Sequence, residues 1–240
     1  MTVKPYDDSG SKKEQVRAMF DGIAARYDLL NHVLSMDVDR LWRRRAVRQV
    51  AAVAPRRILD VATGTGDLAI ALARALPGAR VTGVDLSEGM LAGAREKVAA
   101  RGLSDRIELV QGDAERLEWA DGTFDAVTVA FGVRNFGDLE AGLRELVRVL
   151  RPGGRLVVLE FSRPRNRLFR ALYEGYSRHI LPRIGGLVSR DRRAYEYLPA
   201  SVGAFPPPAE FLAMLRAAGL HDGTARSQSF GIAQIYTASR

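Results

Sequence analysis

The chain contains no cysteine among its 240 residues, which excludes a disulfide framework, a thiolate zinc site and a cysteine nucleophile. Histidine is nearly as scarce: only His32, His179 and His221 occur, without a neighbouring ligand pattern, so no metal site is expected. No apolar run approaches the length of a membrane span, and Met1 to Ser11 is too short and polar for a signal peptide. Repeats and low-complexity tracts are missing as well. These absences lead to the expectation of a soluble protein of the reducing cytoplasm, peripheral at the inner face of a membrane if it meets one. At 47% hydrophobic and 27% charged residues, the composition is that of a globular fold.

Positive charge is what the chain has in excess. Thirty-six lysines and arginines against 28 acids leave a net charge of +8, which favours a polyanionic partner: nucleic acid, an anionic membrane surface or a negatively charged substrate. Charge alone does not choose among them.

From Ile58 onward, short β-branched runs alternate with helical patterns, the order of a parallel sheet with crossover helices. Strands are predicted at 57–62, 80–85, 107–111, 124–130 and 155–161, and helices at 67–76, 88–101 and 139–150. Gly102 and Arg151-Pro152-Gly153-Gly154 are stop signals for the last two helices. The expectation is one α/β domain over 1–240 with a doubly wound, mostly parallel sheet. Helices over 11–53 form a cap within 1–53, and 54–162 is the cofactor-binding core. A basic and aromatic insertion covers 163–205, and 206–240 holds a C-terminal helix and strand. Pro206-Pro207-Pro208 opens a helix at 209–218, an alternating tail at 230–237 closes the sheet, and His221 falls in a turn between them.

The first strand runs directly into Gly64-Thr65-Gly66, placing small residues where a ligand must approach backbone closely. The second strand ends at Asp85, where a carboxylate can accept from two ribose hydroxyls. This pair suits a nicotinamide cofactor and S-adenosylmethionine equally. Two features favour the latter. A third glycine is absent, and Asp67 at the helix start would repel a pyrophosphate. The third strand ends in Gln111-Gly112-Asp113-Ala114, where an acid can accept from an adenine amino group. Asp113 also reads as a turn or helix cap.

Tyr27-Asp28-Leu29-Leu30-Asn31, Ser35 and Leu41-Trp42 resemble the first signature of the ubiquinone/menaquinone biosynthesis C-methyltransferases. Arg148-Val149-Leu150-Arg151-Pro152-Gly153-Gly154 with Glu160-Phe161-Ser162 resembles the second. Phe131-Gly132-Val133-Arg134-Asn135 is similar to the family's post-strand motif, and Tyr195-Glu196-Tyr197-Leu198 with Ser201 and Phe205-Pro206 to its C-terminal region. The resemblance implies a class I, Rossmann-like methyltransferase that uses S-adenosyl-L-methionine. Its implied acceptor is a ring carbon of a polyprenylated quinol, demethylmenaquinol first and the ubiquinone-pathway equivalent second.

Cofactor contacts are implied at Thr65, Asp85, Asp113, Ala114 and Ala130, with Gly64 and Gly66 in the turn. Tyr27, Asn31 and Trp42 are implied as a helical lid over the acceptor, although Tyr27 and Trp42 at helical spacing also read as core. Arg134 is implied as the electrostatic stabiliser of a quinol phenolate and Asn135 as the partner of a ring oxygen or the methionine carboxylate. Arg134 has a second reading, an ion pair with an acid such as Glu160. The chain departs from the signature at Asp39, where histidine is usual, and has Ala62 and Thr63 where glycine is common. Arginines and aromatics over 163–193 suit either a nucleic acid or an anionic membrane surface, and a lipid quinol favours peripheral membrane contact; the N-terminal helices suit a homodimer. A nucleic-acid methyltransferase is the competing enzyme class. It is disfavoured because the fourth strand ends in Ala130-Phe131-Gly132-Val133-Arg134 rather than Asn/Asp-Pro-Pro-Tyr, so no nucleic acid is expected. A non-catalytic cofactor-binding protein is the third reading.

Overall fold

The strands of the centre are rich in buried β-branched and aliphatic residues on both faces, as parallel strands covered on both sides must be. Ile58, Leu59 and Val61 of β1 (Arg57–Val61), Val81 and Val84 of β2 (Arg80–Asp85), and Val127 and Val129 of β4 (Phe124–Ala130) are all fully buried. In the computed structural model, which describes residues 3–6, 9–35, 37–164, 175 and 192–240, these strands join β3 (Ile107–Gln111), β5 (Leu150–Phe161), β6 (His221–Gln228) and β7 (Ala233–Ser239). The sheet order is β3-β2-β1-β4-β5-β7-β6, parallel except where β7 runs against both β5 and β6. Chain order reverses between β1 and β4, and there the carboxyl ends of the strands leave a crevice.

Alternate residues of each strand feed two separate cores. Leu59, Val61, Val127, Val129 and Val158 pack on α5 (Leu139–Val149) and α7 (Pro208–Ala217). Ile58, Ala126, Val157 and Leu159 pack on α2 (Val38–Ala51) and α3 (Asp67–Ala75). A third cluster lies outside the sheet: Val16, Met19 and Ile23 of α1 (Lys12–Ser35) meet Met90 of α4 (Glu88–Ala99) and Ala194 and Tyr197 of α6 (Arg192–Ala204). Side-chain caps start α4 and α5, where Ser87 Oγ accepts from Met90 N and Asp138 Oδ1 from Ala141 N.

Three expectations change. β5 begins at Leu150 rather than 155, reaching back across an irregularity to pair Leu150 with Phe124. His221 opens strand β6 instead of lying in a turn. Nearly every β6 side chain is exposed, so this polar edge strand carries no hydrophobic alternation to read. The closing strand starts at Ala233 because Ser229, Phe230 and Gly231 all take positive φ (42°, 59° and 98°), which ends pairing there. Most of the expected insertion at 163–205 lies outside the described residues, and its C-terminal part forms α6. No helix among the described residues is long and apolar enough to cross a membrane.

Candidate active site

The turn between β1 and α3 is built on left-handed backbone at Ala62, Gly64 and Gly66 (φ 52°, 57° and 80°). Gly66 caps α3, and a Cβ there would lie 3.3 Å from that of Ala94. Asp60 braces the turn from below, its two carboxylate oxygens accepting from Thr63 Oγ1 and Thr128 Oγ1 at 2.6 Å each. Burial pushes the Asp60 carboxyl up to about 6, against the pull of the two hydroxyls.

Asp85 ends β2 with Oδ2 accepting from Gly64 N at 2.8 Å and Oδ1 from Ser87 N at 2.9 Å. Burial raises its carboxyl above the usual range, while those amides oppose the shift. Each oxygen retains further acceptor capacity. At the end of β3, Asp113 Oδ1 accepts from Glu115 N at 2.9 Å, the turn-capping arrangement, and Oδ2 pairs with Lys13 Nζ at 2.6 Å. Past β4, the loop of Phe131 and Gly132 crosses the β1 turn so closely that a Cβ on Gly132 would stand 2.5 Å from Ala62 Cβ.

Together these loops and α1 line an open cleft at the carboxyl ends of the strands, the place where open α/β sheets hold their ligands. Of the residues singled out from sequence, Tyr27, Gly64, Asp85, Asp113, Ala114, Ala130 and Asn135 line it. Thr65 and Gly66 stand behind the wall and shape the turn. The side chain of Asn31 lies outside what the structure describes. Trp42 is 3% exposed and off the cleft, packed on Phe131 and Phe161 with Nε1 donating to Ser229 Oγ; its core reading is the observed one.

Arg134 likewise does not reach the lining. Its guanidinium is buried behind the cleft wall, with Nη1 on Glu160 Oε1 at 2.8 Å and on the Phe131 carbonyl, and Nε on Ser201 Oγ at 3.3 Å. Burial alone would lower its pKa, but Glu160 raises it overall. The ion pair anticipated as the alternative is therefore present, and it turns the guanidinium away from the cleft lining. The adjacent Asn135 lines the cleft, its Oδ1 accepting from Tyr197 OH at 3.1 Å. Burial pushes the Tyr197 hydroxyl to about 12. Asp39 is buried and pairs with Arg43 at 2.7 Å, and Arg43 and Lys97 both pair with Asp67, at 3.2 and 2.7 Å. Asp67 is thus neutralised, so repulsion by it does not discriminate between cofactors.

The residues that sequence reading missed are on α1. Lys12 Nζ donates to the carbonyls of Arg134 and Phe136 at 2.9 and 2.7 Å, and Lys13 bridges Asp113 and Glu115 at 2.6 and 2.7 Å. Asp21 Oδ1 accepts from Ser87 Oγ and Gly89 N at 2.5 and 3.1 Å. One helix is pinned to the loops after β2, β3 and β4, and so roofs the cleft. A signal did exist: between the capping-box residues Ser11 and Glu14, two lysines oppose the helix dipole, a placement that makes sense when they serve a partner elsewhere.

The sequence pattern of the ubiE/COQ5 methyltransferase family matches residues 8–240. The chain belongs to this family. It is 51% identical over 236 residues to a demethylmenaquinone methyltransferase of Deinococcus radiodurans, covering 98% of this chain and 97% of that one. It is 50% identical over 230 residues to the ubiquinone/menaquinone biosynthesis C-methyltransferase UbiE of Geobacter sulfurreducens, covering 95% and 90%. The membership expected from the signatures is therefore the one found. Among solved structures, a SAM-dependent methyltransferase from Aquifex aeolicus superposes with a TM-score of 0.57 at 20% identity, covering 77% of this chain and 82% of that one. The [4+2]-cyclase SpnF superposes with a TM-score of 0.64 at 22% identity over 95% and 96%. The class I fold is thus shared with an enzyme of another chemistry, so the fold by itself does not name the reaction.

Proposed function

We propose that this methyltransferase carries the methyl group of S-adenosyl-L-methionine to a ring carbon of a polyprenylated quinol, converting demethylmenaquinol to menaquinol. The observation that carries the reading is the cleft at the β1/β4 switch, walled by carboxylates that end two neighbouring strands, in a chain half identical over nearly its whole length to relatives named for that reaction. The donor set fits the cofactor: two acids offer acceptors for hydroxyl and amino donors and favour a cation, while Gly64, Gly112 and Gly132 keep side chains off the wall. S-adenosyl-L-methionine, when bound, supplies a methyl group on a positively charged sulfur.

Asp85 accepts from the ribose hydroxyls with the lone pairs that Gly64 and Ser87 leave, and Asp113 accepts from the adenine amino group. Ala114 and Ala130 contribute main chain, and Gly64, Thr65 and Gly66 hold the turn. Asn135 and Tyr27 orient the acceptor ring, with Asn31 further along the same helix. Positioning supplies much of the rate in such a transfer. Arg134 acts as a positioning residue, since it clamps the Phe131 carbonyl and Glu160 and so fixes the bend that presents Asn135. Trp42 supports that bend through Phe131. A prenylated acceptor resides in lipid, so the enzyme meets it at a bilayer surface.

The test is transfer of label from methyl-labelled S-adenosyl-L-methionine to demethylmenaquinol, run beside the demethylated benzoquinol of ubiquinone synthesis. Label on the naphthoquinol ring is expected. No label on either quinol would sink the reading, and label on the benzoquinol alone would move it to the second acceptor.

A further inference from the structure

Two large hydrophobic side chains are exposed among the described residues, Phe230 at 71% and Leu41 at 44%. They belong to different elements that the fold fastens together. Trp42 Nε1 donates to Ser229 Oγ at 2.9 Å and Arg45 Nη1 to Gln228 Oε1 at 2.5 Å, tying α2 to the turn between β6 and β7. Leu41 precedes Arg45 by one helical turn, so it lies on the flank of α2 that faces Gln228.

Phe230 is presented with φ 59°, between Ser229 and Gly231 also at positive φ, and an aromatic residue holds that conformation only under strain. The turn is anchored on its other side, where Ser162 Oγ donates to the Gly231 carbonyl at 2.7 Å and Ser162 N to that of Ile232 at 2.8 Å. An exposed ring is thus held fixed where glycine or asparagine would sit more easily.

Around this apolar tip the charge among the described residues is mostly positive. Arg40, Arg44, Arg45 and Arg48 all lie on the exposed face of α2, and Arg226 is exposed two residues before Gln228 on β6. Asp37, beside Arg40 at 3.2 Å, is the one acid on that face of α2; Asp39 turns inward to Arg43. The patch also has the right place. β6 is parallel to β5, since both run against β7, so the turn after β6 stands at the edge of the sheet where the cleft opens. Trp42 joins the two regions, touching Ser229 on one side and the cleft residue Phe131 on the other.

We propose that Phe230 and Leu41, within this arginine rim, dock the enzyme on an anionic bilayer and bring the mouth of the cleft to the lipid surface. The inference deepens the proposed function and rests on it for its purpose. A rim of arginines alone would suit nucleic acid; a fixed aromatic and a leucine at its centre suit an interface with a hydrocarbon boundary.

The full chain is sedimented with vesicles of phosphatidylcholine alone and of phosphatidylcholine with phosphatidylglycerol. Binding to the anionic vesicles is expected, with a roughly tenfold loss of partitioning for Phe230→Asn and for Leu41→Ser. Because asparagine accepts positive φ, Phe230→Asn should keep or raise the thermal midpoint, and it should keep turnover on a short-chain soluble quinol. Equal partitioning of wild type and Phe230→Asn would overturn the proposal. So would vesicle binding abolished by duplex DNA at low salt yet insensitive to Phe230, or a fall from dimer to monomer in these variants without change in partitioning. The vesicle assay needs no acceptor, so its failure leaves the methyl-transfer reading standing, and absence of methyl transfer leaves the vesicle result standing.

Discussion

Asp60, buried near the end of β1, and Asp85, half-buried at the end of the neighbouring β2, do different work. Asp60 is held by two threonine hydroxyls under the turn, away from the cleft, whereas Asp85 lies on the lining. Replacing Asp85 with alanine is expected to weaken S-adenosyl-L-methionine binding by about 1.5–3 kcal/mol, the scale for a hydrogen bond to a charged group. Isothermal titration measures it, and an unchanged dissociation constant would remove Asp85 from the site. Asp60 governs stability instead. With its carboxyl raised to about 6 from 3.8, the folded chain keeps a proton that the unfolded chain has already lost between those values. Stability from this group therefore falls as pH rises from about 4 to about 6, by about 1–3 kcal/mol. Asp60→Asn should flatten that part of the profile in denaturant unfolding. An identical slope in the variant would mean that another group is responsible. Arg134 is open to a third measurement. Arg134→Met leaves Glu160 buried and uncompensated, which should cost about 3–5 kcal/mol, and adding Glu160→Leu should recover much of it. If the double variant is no more stable than the single one, the pair is not the principal role of Arg134.

Helix α1 covers the cleft through contacts with three loops. The Lys13 bridge to Asp113 and Glu115 is about one-third exposed at the lysine, so it contributes about 1 kcal/mol at most. Lys13→Gln should therefore speed cofactor release by no more than about fivefold in stopped flow, with little change in thermal midpoint. A hundredfold change would make Lys13 a direct ligand. What could be read in advance divides along the same lines. β2, β3 and β4 were legible to the residue because buried parallel strands concentrate β-branched side chains between glycine and aspartate breaks. β6 was not, since an edge strand exposed on both faces has no pattern to show. Asp85 and Asp113 were legible because their place at strand ends follows from local order. Lys13 was not, because its partner lies 100 residues away and only the roofing helix brings them together.

For the whole molecule, the doubly wound sheet divides at the β1/β4 boundary into two halves, and each contributes one loop to the floor of the cleft. Ala62 closes the first half at φ 52°, and Gly132 opens the second beneath it; Ala62 Cβ stands 2.5 Å from where a Cβ on Gly132 would be. The halves therefore share room for a single methyl group, and positions 62 and 132 behave as one locus with two addresses. Gly132→Ala alone should lose stability by more than about 1 kcal/mol through overpacking, whereas Ala62→Gly with Gly132→Ala moves the methyl across the boundary and relieves the left-handed alanine. Denaturant midpoints of the two singles and the double decide the matter, since additive effects would mean that the halves are independent. Coupling would mean that drift in one half of the chain is permitted only by the state of the other, so the floor of the cleft is inherited as a matched pair.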